Sequence, residues 1–292
     1  MKGSVLVLGG GISGIQASLD LANSGFKVYL VEKKPSIGGT MPQLDKTFPT
    51  NDCAMCILSP KLVGTGGHPN IEIIGNAHIT DFGGVPGDFE IQLLKRPRYV
   101  NPEKCNGCGD CARACPVKAV DKFNRNLNKK SSISVMYPQA VPLVYSINRG
   151  TCIGCGLCER ICKKEAIDYS QEEEAIELNV GAVIIATGAE PYDPSTTKRY
   201  RYGYPNVVTS AEFERILSAS GPYGGTVLRP SDGKRPEKIG FIQCVGSRNP
   251  HIGRELCSAV CCMYATKEAI VAKEHDPELD ITIFFIDLRA HG

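Results

Sequence analysis

An α/β fold carrying an α+β insertion is what this sequence predicts, on three observations. A strand, glycine turn, helix and second strand open the chain. Fourteen cysteines fall in tight groups, eight of them in a doubled run between 105 and 162. A second strand–helix–strand pattern follows residue 236.

Residues 4–8 form a short apolar run bounded by glycine, the pattern of a buried parallel strand. Residues 12–24 carry helix-type apolar spacing, and Gly25 ends that helix. Residues 27–31 are a second apolar strand ending at Glu32. Residues 35–70 are rich in Pro, Gly, Thr and Asn. The runs 71–74, 78–80 and 89–94 predict strands of a small antiparallel layer, with Gly83, Gly84 and Gly87 in its turns. Pro97 and Pro102 mark a boundary before the cysteine-rich segment. Residues 183–186 predict a return to a buried strand. Residues 191–236 are loop-rich, with one helix at 211–219. The runs 238–243, 258–274 and 281–287 then predict a second, partial βαβ unit. The domains expected are 1–98, an insertion at 99–172, a continuation of the first domain with a linker at 173–235, and 236–292.

The chain has 292 residues and a net charge of +2, which argues against a generally basic nucleic-acid surface. No apolar run is long enough to span a bilayer, and the first apolar stretch runs into glycines rather than a cleavage site. Clustered cysteines outside a disulfide framework point to metal or redox chemistry in a cytoplasmic, anaerobic setting.

Gly9-x-Gly11-x-x-Gly14 lies between strand and helix. Gly9 suits the tight turn, Gly11 the approach of a pyrophosphate, and Gly14 the packing of helix on strand. The helix N-terminus offers N–H groups to phosphates. Glu32, followed by Lys33, stands where an acidic residue would hold ribose hydroxyls. Ile37-Gly38-Gly39-Thr40 follows closely, and Ala186-Thr187-Gly188 ends a later strand. Together these resemble the Rossmann-like FAD domain of the thioredoxin reductase and glutathione reductase families. The resemblance implies FAD, with these residues as its contacts.

Cys105-x-x-Cys108-x-x-Cys111-x-x-x-Cys115-Pro116 is a [4Fe–4S] ligand run, and Cys152-x-x-Cys155-x-x-Cys158-x-x-x-Cys162 repeats it. The fourth cysteine of such a run ligates the other cluster. One cluster is therefore expected on Cys105, Cys108, Cys111 and Cys162, the other on Cys152, Cys155, Cys158 and Cys115. Zinc would show separated CxxC pairs instead. Gly107, Gly109, Gly154 and Gly156 keep the chain thin around the inorganic core. Lys163 stands where a proline follows in the first run. A nearby positive charge raises a cluster's potential, while a fully solvated lysine does nothing. Residues 121–149 are a long spacer, and 137–142 are expected to be a loop and a docking surface.

Cys244, Cys257, Cys261 and Cys262 follow the order C-x12-C-x3-C-C. Cys244-Val245-Gly246-Ser247-Arg248 replaces a glycine fingerprint at a strand-to-helix turn, so a third cluster is expected in place of a nicotinamide nucleotide. Buried, unligated thiols are the plain alternative. Cys53 and Cys56 remain. Three readings stand open for them: a flavin-facing redox dithiol, cluster ligation with a partner's help, or two packed thiols.

The glycine turn, Asn51-Asp52-Cys53-Ala54-Met55-Cys56-Ile57-Leu58-Ser59-Pro60-Lys61, the doubled cysteine run, Gln243-Cys244-Val245-Gly246-Ser247-Arg248 and residues 257–263 all resemble the A-subunits of heterodisulfide reductases. That resemblance implies FAD, several [4Fe–4S] clusters, and partner subunits in a hetero-oligomeric complex that carry the disulfide chemistry. It implies a ferredoxin, or a donor of hydrogenase or formate dehydrogenase type. It also implies flavin-based bifurcation of electrons from a two-electron donor, with Cys244, Cys257, Cys261 and Cys262 matching the family's unusual cluster site. Family members continue well beyond residue 292, which implies a fragment or half of a split subunit. Two rivals are weighed. An NAD(P)H-linked flavoprotein like the glutamate synthase small subunit would need a second GxGxxG, which this chain lacks. A ferredoxin-bearing adaptor would lack a reducible flavin.

Overall fold

The computed structural model describes residues 3–290, which fall into two compact units. The first gathers the chain up to Pro42 with Cys56–Phe123 and Lys129–Gly188. The second gathers Gln43–Met55, Asn124–Asn128 and the chain from Ala189 on.

The first unit opens with β1 (Ser4–Leu8), α1 (Ile12–Asn23) and β2 (Lys27–Glu32). Val5, Leu6 and Val7 are buried, as a strand covered on both faces requires. Gly14, Ile15, Ser18 and Ala22 form the buried stripe of α1, and Gly25 leaves the helix at φ +91°. Residues 35–70 hold a helix the composition hid, α2 (Ala54–Gly67). Ala54, Leu58, Leu62 and Thr65 are its buried stripe, at helical spacing, with Pro60 inside.

This helix corrects the reading of the next strand. β3 (Ile71–Gly75) pairs parallel with β2 and completes a sheet in the order β11-β1-β2-β3, where β11 is Ala182–Ile185. Parallel neighbours need a crossover, and α2 supplies it. The antiparallel layer consists instead of β4 (Ala77–Val85), β5 (Asp88–Lys95) and the unforeseen β10 (Glu174–Val180), ordered β10-β5-β4. Gly83 and Gly84 lie within β4; only Gly87, at φ +96°, is in the turn. Leu6, Val31, Ile74, Ile91, Leu93 and Val180 close one core between the two sheets. β11 was expected to be buried. It lies at the sheet edge, and Ile185 is 74% exposed.

The cysteine-rich segment comprises α3 (Asp110–Ala114), β6 (Lys118–Val120), β7 (Lys129–Ser131), β8 (Ile133–Ser134), β9 (Ser146–Ile147) and α4 (Leu157–Ile161). β6 pairs with β7, and β8 with β9. The stretch 137–142 is a loop, as expected; Pro138 and Gln139 are exposed at its tip, while its other residues turn inward. Tyr137 and Ala140 are 4% and 2% exposed, and Tyr137 stacks on Phe123. Tyr137 Oη donates to the Ile37 carbonyl, Ile37 N donates to the Val141 carbonyl, and Ser36 Oγ donates to the Pro142 carbonyl. An aromatic flanked by small and apolar residues is better satisfied inside, where its hydroxyl finds a carbonyl.

The second unit contains α5 (Ser210–Leu217), β12 (Lys238–Ile242), α6 (Cys261–His275) and β13 (Asp280–Phe284). β12 and β13 pair in parallel, which makes the second βαβ unit. α5 begins with a reciprocal capping box between Thr209 and Glu212. Phe213, Ile216, Leu217, Val227, Val271 and Leu279 form the core. Residues 189–235 therefore pack in this unit, rather than continuing the first domain to 235. Arg215, fully buried, fastens the two detached segments by donating to Asn124 Oδ1 at 2.9 Å and to the Gln43 carbonyl at 3.0 Å. Among the described residues no helix is long and apolar enough to cross a membrane.

Candidate functional site

The glycine turn is built by close approach. A Cβ on Gly14 would overlap the Gly9 carbonyl, and one on Gly9, at φ +108°, would overlap the Ala186 carbonyl. Gly39 lies so near Gly11 that a Cβ there would stand 2.7 Å from the Gly11 Cα. Gly38 N donates to the Gly10 carbonyl at 2.6 Å. Thus Ile37–Thr40 and Ala186–Gly188 flank the turn, as the fingerprint requires. A Cβ on Gly11 would meet only the Gly39 Cα, at 3.9 Å, and no side chain caps α1. The helix N–H groups and the open side of Gly11 suit a diphosphate. The Glu32 carboxylate, 6% exposed, accepts from Gly10 N at 2.8 Å and Lys34 N at 2.9 Å, which aims it at the turn. Lys33 is exposed, and its carbonyl accepts from Arg96. These residues fit a dinucleotide.

Tyr137 was missed as a site residue. Burial, then the nearby Glu32 charge, raises its phenol pKa, so it remains a donor to the Ile37 carbonyl and fixes the Gly38-Gly39 turn. A tyrosine in an apolar, proline-flanked stretch was the available signal. Arg98 is a second brace, donating to the Pro35 and Val144 carbonyls.

Six of the eight ferredoxin-type cysteines lie around one apolar core with Val100, Ile133, Val144, Ile147 and Ala166, while Cys108 and Cys155 are exposed. Cys115, Cys152, Cys155 and Cys158 line one cavity, joined by Ile133, Ile147 and Tyr169. Those four are the crossed set that the spacing predicts. Cys105, Cys108 and Cys111 lie within electrostatic reach of one another. Burial first, and then those neighbours, push the Cys111 thiol up to about 12, so ligation there must displace a proton. Gly107, Gly109, Gly154 and Gly156 all have φ between +70° and +87°. Leu143 crowds Gly107 and the Tyr145 hydroxyl crowds Gly109. Gly154 N donates to Cys152 Sγ at 3.5 Å and Ala166 N to Cys162 Sγ at 3.4 Å, contacts of the kind that tune cluster potentials. Lys163 is exposed.

Cys244 follows β12 in the left-handed region, φ +61°. Its thiol pKa is raised by burial and then by Cys261, with Cys262 also contributing, so these three face one another. Cys261 and Cys262 are buried at the start of α6. Cys257 lies in the loop before that helix, not on it. Arg289 N donates to Cys262 Sγ at 3.4 Å, and its side chain meets Cys257. Among the described residues no three His, Cys, Asp or Glu side chains converge on a single-ion site. A [4Fe–4S] cube instead takes thiolates at four separate corners, and the all-cysteine donor sets suit it. Cys53 and Cys56 are exposed and disulfide-bonded; the other twelve cysteines are free thiols.

Residues 4–50 match the FAD dependent oxidoreductase family and residues 104–166 match the 4Fe-4S dicluster domain. The class is thus a flavin- and iron–sulfur-type oxidoreductase chain. Three relatives narrow it, each the A-subunit of its complex. The chain is 54% identical over 288 residues to the second iron-sulfur A-subunit of the CoB--CoM heterodisulfide reductase of Methanopyrus kandleri, covering 98% of this chain and 44% of that one. It is 48% identical to the A-subunit of the H(2):CoB-CoM heterodisulfide,ferredoxin reductase of Methanothermobacter marburgensis, with the same coverages. It is 46% identical to the A-subunit of the Ferredoxin:CoB-CoM heterodisulfide reductase of Methanosarcina mazei, covering 99% of this chain and 37% of that one. The chain belongs to the heterodisulfide reductase A-subunit family, and spans less than half the length of these relatives.

Proposed function

We propose that this chain is an electron-transfer subunit of a heterodisulfide reductase-like complex, holding FAD and three [4Fe–4S] clusters. The observation that carries the reading is the cavity lined by Cys115, Cys152, Cys155 and Cys158. Two separate cysteine runs supply one site there, as a dicluster ferredoxin demands. Gly9, Gly11, Gly14, Glu32, Gly38, Gly39 and Ala186–Gly188 would hold FAD. Cys105, Cys108, Cys111 and Cys162 would hold the second cluster, and Cys244, Cys257, Cys261 and Cys262 the third. FAD supplies exchange between two-electron and one-electron carriers, and each cluster passes single electrons.

This chain's residues position those groups and set their surroundings. Tyr137 and Arg98 hold the FAD turn against the cysteine-rich segment, and the apolar core around Cys111 and Cys158 excludes water. The names of the relatives favour ferredoxin as one electron partner. Partition of electrons between ferredoxin and a heterodisulfide, on partner subunits in the cytoplasm, is the finer form of the proposal. The disulfide state of Cys53 and Cys56 favours a redox pair over packed thiols. If so, Cys53→Ser slows flavin reduction by the physiological donor; unchanged flavin reduction removes that role.

Iron and acid-labile sulfide per flavin, on anaerobically purified protein, test the whole reading. About 12 iron per FAD is expected. A ratio near ~8 would remove the third cluster.

A further inference from the structure

α5 and α6 bury an ionisable cluster that electron transfer has not used. Glu214, Lys267 and Glu268 are 1%, 4% and 0% exposed. Lys267 Nζ donates to Glu214 Oε1, and Asp45 N donates to Glu214 Oε2 at 3.0 Å. Ser210 Oγ donates to Glu268 Oε1 at 2.9 Å. Glu268 Oε2 is buried with no donor aimed at it, while its carboxyl lies against that of Glu214. Two facing carboxylates cannot bond unless one carries a proton. Burial first, and the Glu214 charge second, raise the Glu268 pKa well above the usual carboxylate range.

The cluster is connected at both ends. Outward, Asp45 and His275 line a polar pocket with Thr226, Arg235 and Asp276. Asp45 also feels the charges of Glu214 and Lys267. Inward, Ser210 links Glu268 to the Tyr264 hydroxyl, and Tyr264 lies within electrostatic reach of Cys261 and Cys262. Glu268 stands six residues after Cys262 on the same helix, a rise of about 9 Å. The groups facing the pair are therefore Ser210 from α5, Tyr264 and Lys267 from α6, and Asp45 from the segment 43–55, with His275 acting on Asp45. Arg215, next to Glu214 in sequence, donates instead to Asn124, Gln43 and Ser220. Tyr264 serves here only as a hydrogen-bonding spacer.

We propose that the Glu214–Glu268 pair is a proton acceptor for the third cluster site, taking one proton from water through the Asp45–His275 pocket for each electron that arrives at Cys244, Cys257, Cys261 and Cys262. The inference rests on the third-cluster reading above. Negative charge added at the cysteine end of α6 is poorly screened in this interior and draws a proton onto the pair. One O–H bond forms per electron, the electron coming from the protein's own redox chain and the proton from bulk water. Oxidation reverses both. Proton uptake occurs between the pH at which Glu268 ionises in the oxidised protein and the higher pH at which it ionises in the reduced protein. Within that window the midpoint potential falls as pH rises; on either side of it, the potential is flat.

The test uses the full chain, purified anaerobically with iron and flavin counted. The third-cluster signal is titrated potentiometrically by electron paramagnetic resonance across pH. The expected slope approaches 59 mV per tenfold change in proton activity, and Glu268→Gln flattens it while leaving iron content and spectrum intact. About 12 iron per FAD with no slope in the wild type, or with the same slope in Glu268→Gln, overturns the proposal alone. About 8 iron overturns the cluster reading and the proposal with it. Should Glu268→Gln fail to fold, reduced-minus-oxidised infrared spectra of the wild type decide. Recorded across pH, a gained protonated-carboxyl band that shifts in heavy water is expected within that window, and its absence at every pH overturns the proposal.

Discussion

The two cysteine regions proposed to hold clusters are built differently. Between 105 and 162 cysteine is part of the core: Cys111 and Cys158 are buried with Ile133, Val144 and Ile147, and the left-handed positions beside the cysteines, Gly107, Gly109, Gly154 and Gly156, are glycines. Between 244 and 262 the left-handed positions fall on Cys244, Arg248 and Ala259 as well as Gly246 and Gly253, and α6 is backed by the buried Lys267–Glu214 pair as well as by hydrocarbon. The difference shows in what a lost ligand should do. In the first region a bound cluster would stand together with the packing; in the second, α5 and α6 are held by Phe213, Leu217 and Val271 whether or not a cluster is present.

Replacing one ligand in each region breaks or sustains this contrast with the largest effect. Cys158→Ser is expected to remove about 4 iron per chain and to expose residues 99–172 to proteolysis. Cys244→Ser is expected to remove a similar amount of iron while the protease pattern of the second unit stays native. Equal proteolysis in both variants would erase the distinction.

A comparison within the glycine turn comes next in size. Gly14→Ala drives a methyl into the Gly9 carbonyl, an overpacking cost of about 2–3 kcal/mol, and should lower the melting temperature and flavin content together. Gly11→Ala meets only the Gly39 Cα at 3.9 Å. It should leave the melting temperature of the apoprotein unchanged and lose flavin alone. Flavin absorbance per chain and apoprotein melting curves separate the two.

These contrasts follow how legible each part was in the sequence. The glycine turn and the doubled cysteine run could be read because each residue answers a local demand of backbone or ligand, and local demands leave a fixed spacing. α2 was hidden because Pro60 and four glycines or threonines mask a stripe that only tertiary packing selects. β3 was put in the wrong sheet for the same reason: without the α2 crossover, nothing local distinguishes a parallel from an antiparallel partner. Tyr137 and the Glu214–Glu268 pair are long-range in sequence, separated from their partners by 100 and 54 residues, so periodicity could not reveal them.

The buried charge of the second unit should also mark stability. Glu268 binds its proton more tightly folded than unfolded, where its pKa is near 4.5. Above that pH the native state holds the extra proton, so stability falls as pH rises until the folded pKa is reached. Glu268→Gln removes this decline, and its apoprotein melting temperature should depend less on pH than that of the wild type. Matching pH profiles would mean that the Glu268 pKa is not raised.

The smallest effect expected concerns Lys163, exposed directly after Cys162. Its charge lies nearer Cys162, and so the cluster proposed on Cys105, Cys108 and Cys111, than the other. Solvent screens an exposed charge to roughly 0.2–1 kcal/mol, which for one electron is about 10–40 mV. Lys163→Pro should therefore lower that cluster's potential by this amount and leave its partner unmoved. High salt should shrink the difference, because screening acts on exposed charge first. A shift of both clusters together would point to a backbone rearrangement around Cys162 instead. No shift at low salt would mean that water has already neutralised the lysine, and that the potentials are governed by buried N–H···S contacts such as Ala166 to Cys162.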